Sequence, residues 1–189
     1  VRSGNFELPW GIDYYQILTV HGVLMGLVLT TFFIMGFQYV AVSRTAGTHS
    51  PAARRIGWIG FWVMTVGTIM AATMVLLKEA SVLYTFYAPL KAHWIFYLGM
   101  TFVVVGSWLD GAAQIMTYAK WRKENPGKPS PLLSFMAVIN TVLWIVATLG
   151  VASTVLFQLL PWSLGLVDTV DVLVSRTLFW YFGHPLVYF

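Results

Sequence analysis

Long apolar runs decide what this chain can fold into. Stretches from Ile12 to Val42, Ile56 to Leu77, Trp94 to Ala119 and Leu132 to Leu160 each exceed the roughly 18 residues that mark a membrane-spanning helix. A fifth run starts near Val172 and is still apolar at Phe189. The expected fold is therefore all-α: a polytopic transmembrane helical bundle with five spans, residues 1–189 forming part of a single membrane domain. Charged residues are 10% of the chain, against about 25% in a soluble domain. The chain opens without Met or a secretory signal and ends inside an apolar run, so it reads as an internal piece of a longer polypeptide, cut at both ends.

Pro and Gly breaks separate the runs, at Pro51, Pro89, the Asn125–Pro129 stretch and Pro161. The net charge of +4 sits in short loops between apolar spans, which argues for lipid and topology and against nucleic acid. The first connection carries Arg44, Arg54 and Arg55, and the third carries Lys120, Arg122, Lys123 and Lys128. The second mixes Lys78, Glu79 and Lys91, and the fourth has only Asp168 and Asp171. Basic loops face the cytoplasm, so the first and third connections are placed inside and the stretch with Glu7 and Asp13 outside. Trp10, Trp94, Trp121 and Trp162 fall near span ends, as interface anchors do. With no cysteine, disulfides and thiolate metal sites are excluded.

Four histidines carry the available metal-ligand chemistry. His49 lies in a cytoplasmic loop and is expected to be solvated surface. His93, at the outer mouth of the third span, is expected to be an interfacial residue with a polar partner. His21 and His184 lie within spans, where an ionisable side chain marks a functional site by default. At 1.5 Å per residue, His21 is roughly 12 Å below Asp13 and His184 roughly 20 Å below Asp171, both from the outer side. Gly22 and Gly26 flank His21, and Gly183 precedes His184. Small residues admit a flat macrocycle or a neighbouring helix. Position alone leaves two readings open at each site, a metal ligand or a histidine bonded across helices. His184 and Tyr188 are four apart and so share a helical face, with Pro185 loosening the turn between them. Asp110 sits in the cytoplasmic half of the third span, and a bond to Ser107 or Gln114 is expected there ahead of a place in a proton route.

The run Trp180-Tyr181-Phe182-Gly183-His184-Pro185-Leu186-Val187-Tyr188 resembles the sixth-helix motif of subunit I of the haem–copper oxidases. Leu83-Tyr84-Thr85-Phe86-Tyr87-Ala88-Pro89-Leu90 resembles that family's outer loop between its third and fourth helices. Asp13-Tyr14-Tyr15-Gln16 through His21-Gly22 resembles its second helix. The resemblance extends over the whole chain and implies the second to sixth helices of the subunit.

It also implies a terminal respiratory oxidase that reduces O2 to water, coupled to proton translocation, in a bacterial or archaeal cell membrane. The implied cofactors are a low-spin haem, a high-spin haem and copper B. The implied partners are cytochrome c or quinol as electron donor, with cytochrome c preferred, and oxidase subunit II, within a lipid bilayer. By the same resemblance His21 is an axial ligand of the low-spin haem iron, and His184 is a copper B ligand. Tyr188 is the redox phenol cross-linked to His184, and Trp180 and Tyr84 line the active-site region or its gas path. Leu186 stands where A-type members carry a proton-relaying Glu, and so resembles the B-type, with its single proton pathway. Ala88 departs from the family's double proline. Three alternatives remain. A nitric oxide reductase relative lacks a phenol at Tyr188. A membrane cytochrome that only carries electrons explains His21 but not the His184–Tyr188 pair. A proton-coupled transporter needs no metals.

Overall fold

The computed structural model describes Gly11 and residues 13–189. Glu7, Trp10 and Ile12 lie outside the described residues. Every element among those described is helical. Four helices are long and apolar enough to cross a membrane: α1 (Tyr14–Thr45), α2 (Pro51–Leu76), α3 (Trp94–Glu124) and α4 (Leu132–Ser163).

The expected fifth span is shorter than a crossing. Helix α5 (Val172–Gly183) has 12 residues and passes into a 3₁₀ turn over Pro185–Tyr188. Pro185 has no N–H to donate, and its ring crowds the carbonyl four residues back, so the α-helix closes at Gly183.

Local chemistry sets the helix ends. The Asp13 carboxylate accepts from Gln16 N at 2.6 Å, and the Asp171 carboxylate from Val174 N at 2.9 Å. Ser50 accepts from Ala53 N, and Pro51 occupies the first turn, so α2 starts five residues before the apolar run does. Helix α3 runs on past Ala119, with Arg122 and Lys123 in its last turn where cations complement free carbonyls. Two helices close by the paired 6→1 and 5→2 bonds of a Schellman motif. In α4 these are Leu166 N to Pro161 O and Gly165 N to Trp162 O, around Gly165 at φ 73°. In α2 they are Glu79 N to Met74 O and Lys78 N to Val75 O, with Lys78 at φ 63° where glycine is usual.

Pro161 was expected to separate spans but lies inside α4. A π-helical turn over Val155–Leu159 immediately precedes it and absorbs the missing donor. A longer π-helical segment, His21–Leu29, interrupts α1 with no proline nearby.

Helices α2 and α3 pack antiparallel with their backbones in contact. A Cβ on Gly60 would lie 2.6 Å from Gly106 O, and one on Gly106 would lie 2.6 Å from Gly60 O. Gly67 and Gly99 meet in the same reciprocal way two turns along. Polar side chains then tie the bundle across helices. Trp144 Nε1 donates to Ser107 Oγ at 2.7 Å, Trp108 Nε1 donates to Thr148 Oγ1 at 2.7 Å, and Thr141 Oγ1 donates to Gln38 Oε1 at 3.2 Å. In hydrocarbon such bonds join helices that apolar contact alone would not hold in register.

Candidate metal and haem site

The His184–Tyr188 pair forms as the sequence spacing requires. Tyr188 Oη lies 3.2 Å from His184 Nε2, and the rings meet edge-on at 5.4 Å between centroids and 71° between planes. The 3₁₀ turn begun at Pro185 brings the phenol over the imidazole. Both side chains face outward from the described residues, Tyr188 being 65% exposed. The backbone beneath them is fixed. Phe182 packs edge-on to Trp144, and Phe189 stacks on Trp144 at 4.1 Å and accepts from Asn140 Nδ2 through its carbonyl at 3.2 Å. Gly150 lets α4 approach α5 closely, since a Cβ there would lie 2.6 Å from Leu178 O. Trp180 lies against Gly183, where a Cβ would meet its ring at 2.6 Å, so a glycine before the histidine is what gives the indole its place.

His21 opens the π-helical segment of α1. π-turns inside helices concentrate at functional sites. No hydrogen bond holds its ring among the described residues, and it shares an open face with Met25 and Leu29, which are 50% and 52% exposed. A Cβ on Gly26 would have nothing within 4 Å, whereas one on Gly22 would collide with Tyr84. The two glycines therefore serve different ends: Gly22 seats the outer loop, and Gly26 keeps the His21 face flat.

That loop joins the motif segments. Leu83 N donates to Thr19 Oγ1 at 2.8 Å, one turn before Gly22 and its contact with Tyr84. Phe86 is buried and meets Phe96 of α3 at 5.8 Å and Phe179 of α5 at 5.3 Å; Tyr87 also meets Phe179, at 5.5 Å. Leu83 and Phe86 adopt φ of 61° and 35°, a left-handed conformation unusual for bulky residues. Tyr84 thus stands beside the His21 segment, and Phe86 and Tyr87 stand beside the residue preceding Trp180.

The donor chemistry fits the implied groups in part. An imidazole on a flat apolar face with a bare Gly26 suits one side of a haem, and neutral imidazole suits both iron and copper. The described residues contain no group of three or more His, Cys, Asp or Glu side chains able to hold a metal, so they complete no metal site around His184.

Other residues settle differently. His93 caps α3 by accepting from Ile95 N at 3.3 Å, as an interfacial histidine with a polar partner should. His49 is not solvated surface: its Nδ1 lies 2.6 Å from Thr117 Oγ1, its Nε2 lies 3.0 Å from Tyr39 O, and its ring stacks on Tyr39 at 3.9 Å. The short connection between α1 and α2 brings it back onto α3, a long-range contact that loop composition does not announce. Asp110 Oδ2 accepts from Gln114 Nε2 at 2.8 Å, while Ser107 is taken by Trp144.

Residues 5–189 match the family model described as cytochrome c and quinol oxidase polypeptide I. A cytochrome c oxidase subunit 1 from Thermus thermophilus is 42% identical over 182 residues, covering 96% of this chain and 32% of the relative. A heme–copper oxidase subunit I+III from Aeropyrum pernix is 28% identical, covering 94% of this chain and 24% of the relative. A heme–copper terminal oxidase dimer solved by cryo-electron microscopy superposes with a TM-score of 0.92 at 45% identity, over 97% of this chain and 31% of that one. The chain spans about a third or less of the length of these proteins.

Proposed function

The chain belongs to the cytochrome c and quinol oxidase polypeptide I family and is a multi-pass membrane protein, and from that membership we propose that it is the second-to-sixth-helix portion of a catalytic subunit that reduces O2 to water. In this reading residues 1–189 are part of one membrane domain, working with subunit II and taking electrons from cytochrome c, with quinol the alternative donor. The observation that carries it is the His184–Tyr188 pair at 3.2 Å on an α-to-3₁₀ turn. A carrier of electrons alone has no use for a phenol held against an imidazole, and a nitric oxide reductase relative lacks the phenol.

His21 binds the low-spin haem iron on the open face it shares with Gly26. His184 would be one ligand of copper B, and a high-spin haem would complete the set of groups. When bound, the haem and copper groups supply electron transfer and oxygen activation. The chain's own residues position and protonate. Tyr188 Oη lies 3.2 Å from His184 Nε2, and a phenol so placed could give a proton and an electron to oxygen together. Trp180, packed against Gly183, and Tyr84, packed against Gly22, line the active-site region or its gas path. Leu186 cannot carry a proton, which supports the B-type assignment and a single proton pathway.

The test uses the full-length subunit with its partners. Reduced-minus-oxidised spectra should show a low-spin haem, and carbon monoxide should shift a second haem. A preparation that folds but shows no haem bands overturns the reading in favour of a transporter. Haem without carbon monoxide reactivity overturns it in favour of an electron carrier.

A further inference from the structure

The N-terminal end of α2 carries a surface distinct from the redox site. Trp58 and Trp62, one turn apart, stand out as a ridge, 57% and 58% exposed. A groove lies on each side of the ridge. The groove toward α1 is lined by Gly36, Tyr39, Arg54, Gly57, Phe61 and Asp110. The groove toward α3 is lined by Arg55, Ile59, Val63, Val66 and Phe102. Each groove thus has one exposed arginine, at the same end, which the loop charges assign to the cytoplasm. The Lys120–Glu124 pair is the sole ion pair among the described residues, so neither Arg54 nor Arg55 has a carboxylate within 4.0 Å there. Asp110, which lines the first groove level with Gly60, is engaged by Gln114.

We propose that this surface binds one anionic diacyl phospholipid, its phosphate between Arg54 and Arg55 and one acyl chain in each groove astride the Trp58–Trp62 ridge. Trp58 is four residues from Arg54 and three from Arg55, so it lies on the stretch of helix surface between those two positions, one turn further along. From Arg54 to Val66 the grooves run roughly 18 Å, close to the ~15 Å depth of one leaflet of hydrocarbon. Guanidinium groups recognise phosphate by two-point hydrogen bonding, and indoles favour the headgroup boundary. A zwitterionic lipid would fill the grooves equally well but leave the paired arginine charge uncompensated. The inference does not depend on the redox reading.

The test is native mass spectrometry of the intact oxidase released from nanodiscs holding equal phosphatidylglycerol and phosphatidylcholine with identical chains. The wild type should retain one phosphatidylglycerol in preference. Arg54→Gln with Arg55→Gln should lower the retained ratio by about tenfold or more, with unchanged haem spectra as the check on folding. Arg54→Lys with Arg55→Lys should recover most of it, and Arg44→Gln, which removes a nearby charge lining neither groove, should not change it. An unchanged ratio in the double glutamine variant overturns the proposal. So does an equal fall in Arg44→Gln, which would mean general surface charge. So does a photoreactive group at position 58 that cross-links to polypeptide instead of lipid.

Discussion

Gly60 on α2 and Gly106 on α3 face each other in backbone contact, each carbonyl 2.6 Å from where the other's Cβ would stand. Any side chain at either position must separate the helices, because the obstructing atoms include backbone carbonyls and amides (Gly106 O and Asp110 N on one side, Gly60 O and Met64 N on the other) with no freedom to turn away. Gly60→Val or Gly106→Val in the intact subunit should destabilise it by about 3 kcal/mol or more, above the usual range for overpacking. Gly36→Ala meets nothing within 4 Å and should stay within about 0.5 kcal/mol of wild type. Thermal denaturation of the detergent-solubilised protein reads both. Near-wild-type melting of Gly60→Val would mean that α2 and α3 are not in backbone contact.

Four spans were legible because long apolar runs must be buried in lipid as helices, but the start of α2 at Pro51 lay outside the apolar run, and the fifth run proved too short to cross. The His184–Tyr188 pairing was legible from a spacing of four. The interface of α2 with α3 was also written in the sequence, as glycines seven apart at 60 and 67 and again at 99 and 106, but the pattern shows meaning only once the two helices are set antiparallel. The π-helical start at His21 leaves no mark in hydropathy, since a π-turn changes hydrogen bonding and not composition. His49 read as surface because its partners, Tyr39 and Thr117, are 10 and 68 residues away. Tyr84 against Gly22 is hidden for the same reason. Loop residues are placed by distant contacts that local pattern does not encode.

The isolated 189-residue chain should not hold copper tightly. It offers His184 as a single donor, with no three-residue cluster of ligating side chains among the described residues. Stable copper sites need three or four donors in fixed geometry. Purified chain loaded with copper and dialysed should lose the metal by atomic absorption. Stoichiometric retention would show that other residues complete a site within the chain.

His21→Ala in the intact subunit should abolish the low-spin haem signal and leave the carbon-monoxide-reactive haem. The motive is an imidazole with no hydrogen bond among the described residues, at a π-helical start on the open face with Met25, Gly26 and Leu29. Alanine is compatible with the helix and removes no packing from an exposed ring, so folding should survive. A normal low-spin band in the folded variant would assign the iron to another ligand.

Tyr188→Phe should lower turnover by about two to four orders of magnitude, the range expected for losing a positioned proton donor, while metal and haem content stay at wild-type levels. The ring is retained, and Tyr188 is 65% exposed among the described residues, so little packing changes. What disappears is Oη, which lies 3.2 Å from His184 Nε2, and with it the phenolic proton. His184 keeps its position, because its backbone N–H still donates to Trp180 O at 3.2 Å and Phe189 still stacks on Trp144. The loss should therefore fall on oxygen consumption and not on cofactor retention. Steady-state oxygen uptake measured beside copper and haem analysis separates the two. Full metal content with near-normal uptake would reduce Tyr188 to a hydrogen-bonding neighbour of His184. Loss of copper together with activity would instead make the phenol a structural support for the imidazole, a role that Phe at this position cannot fill.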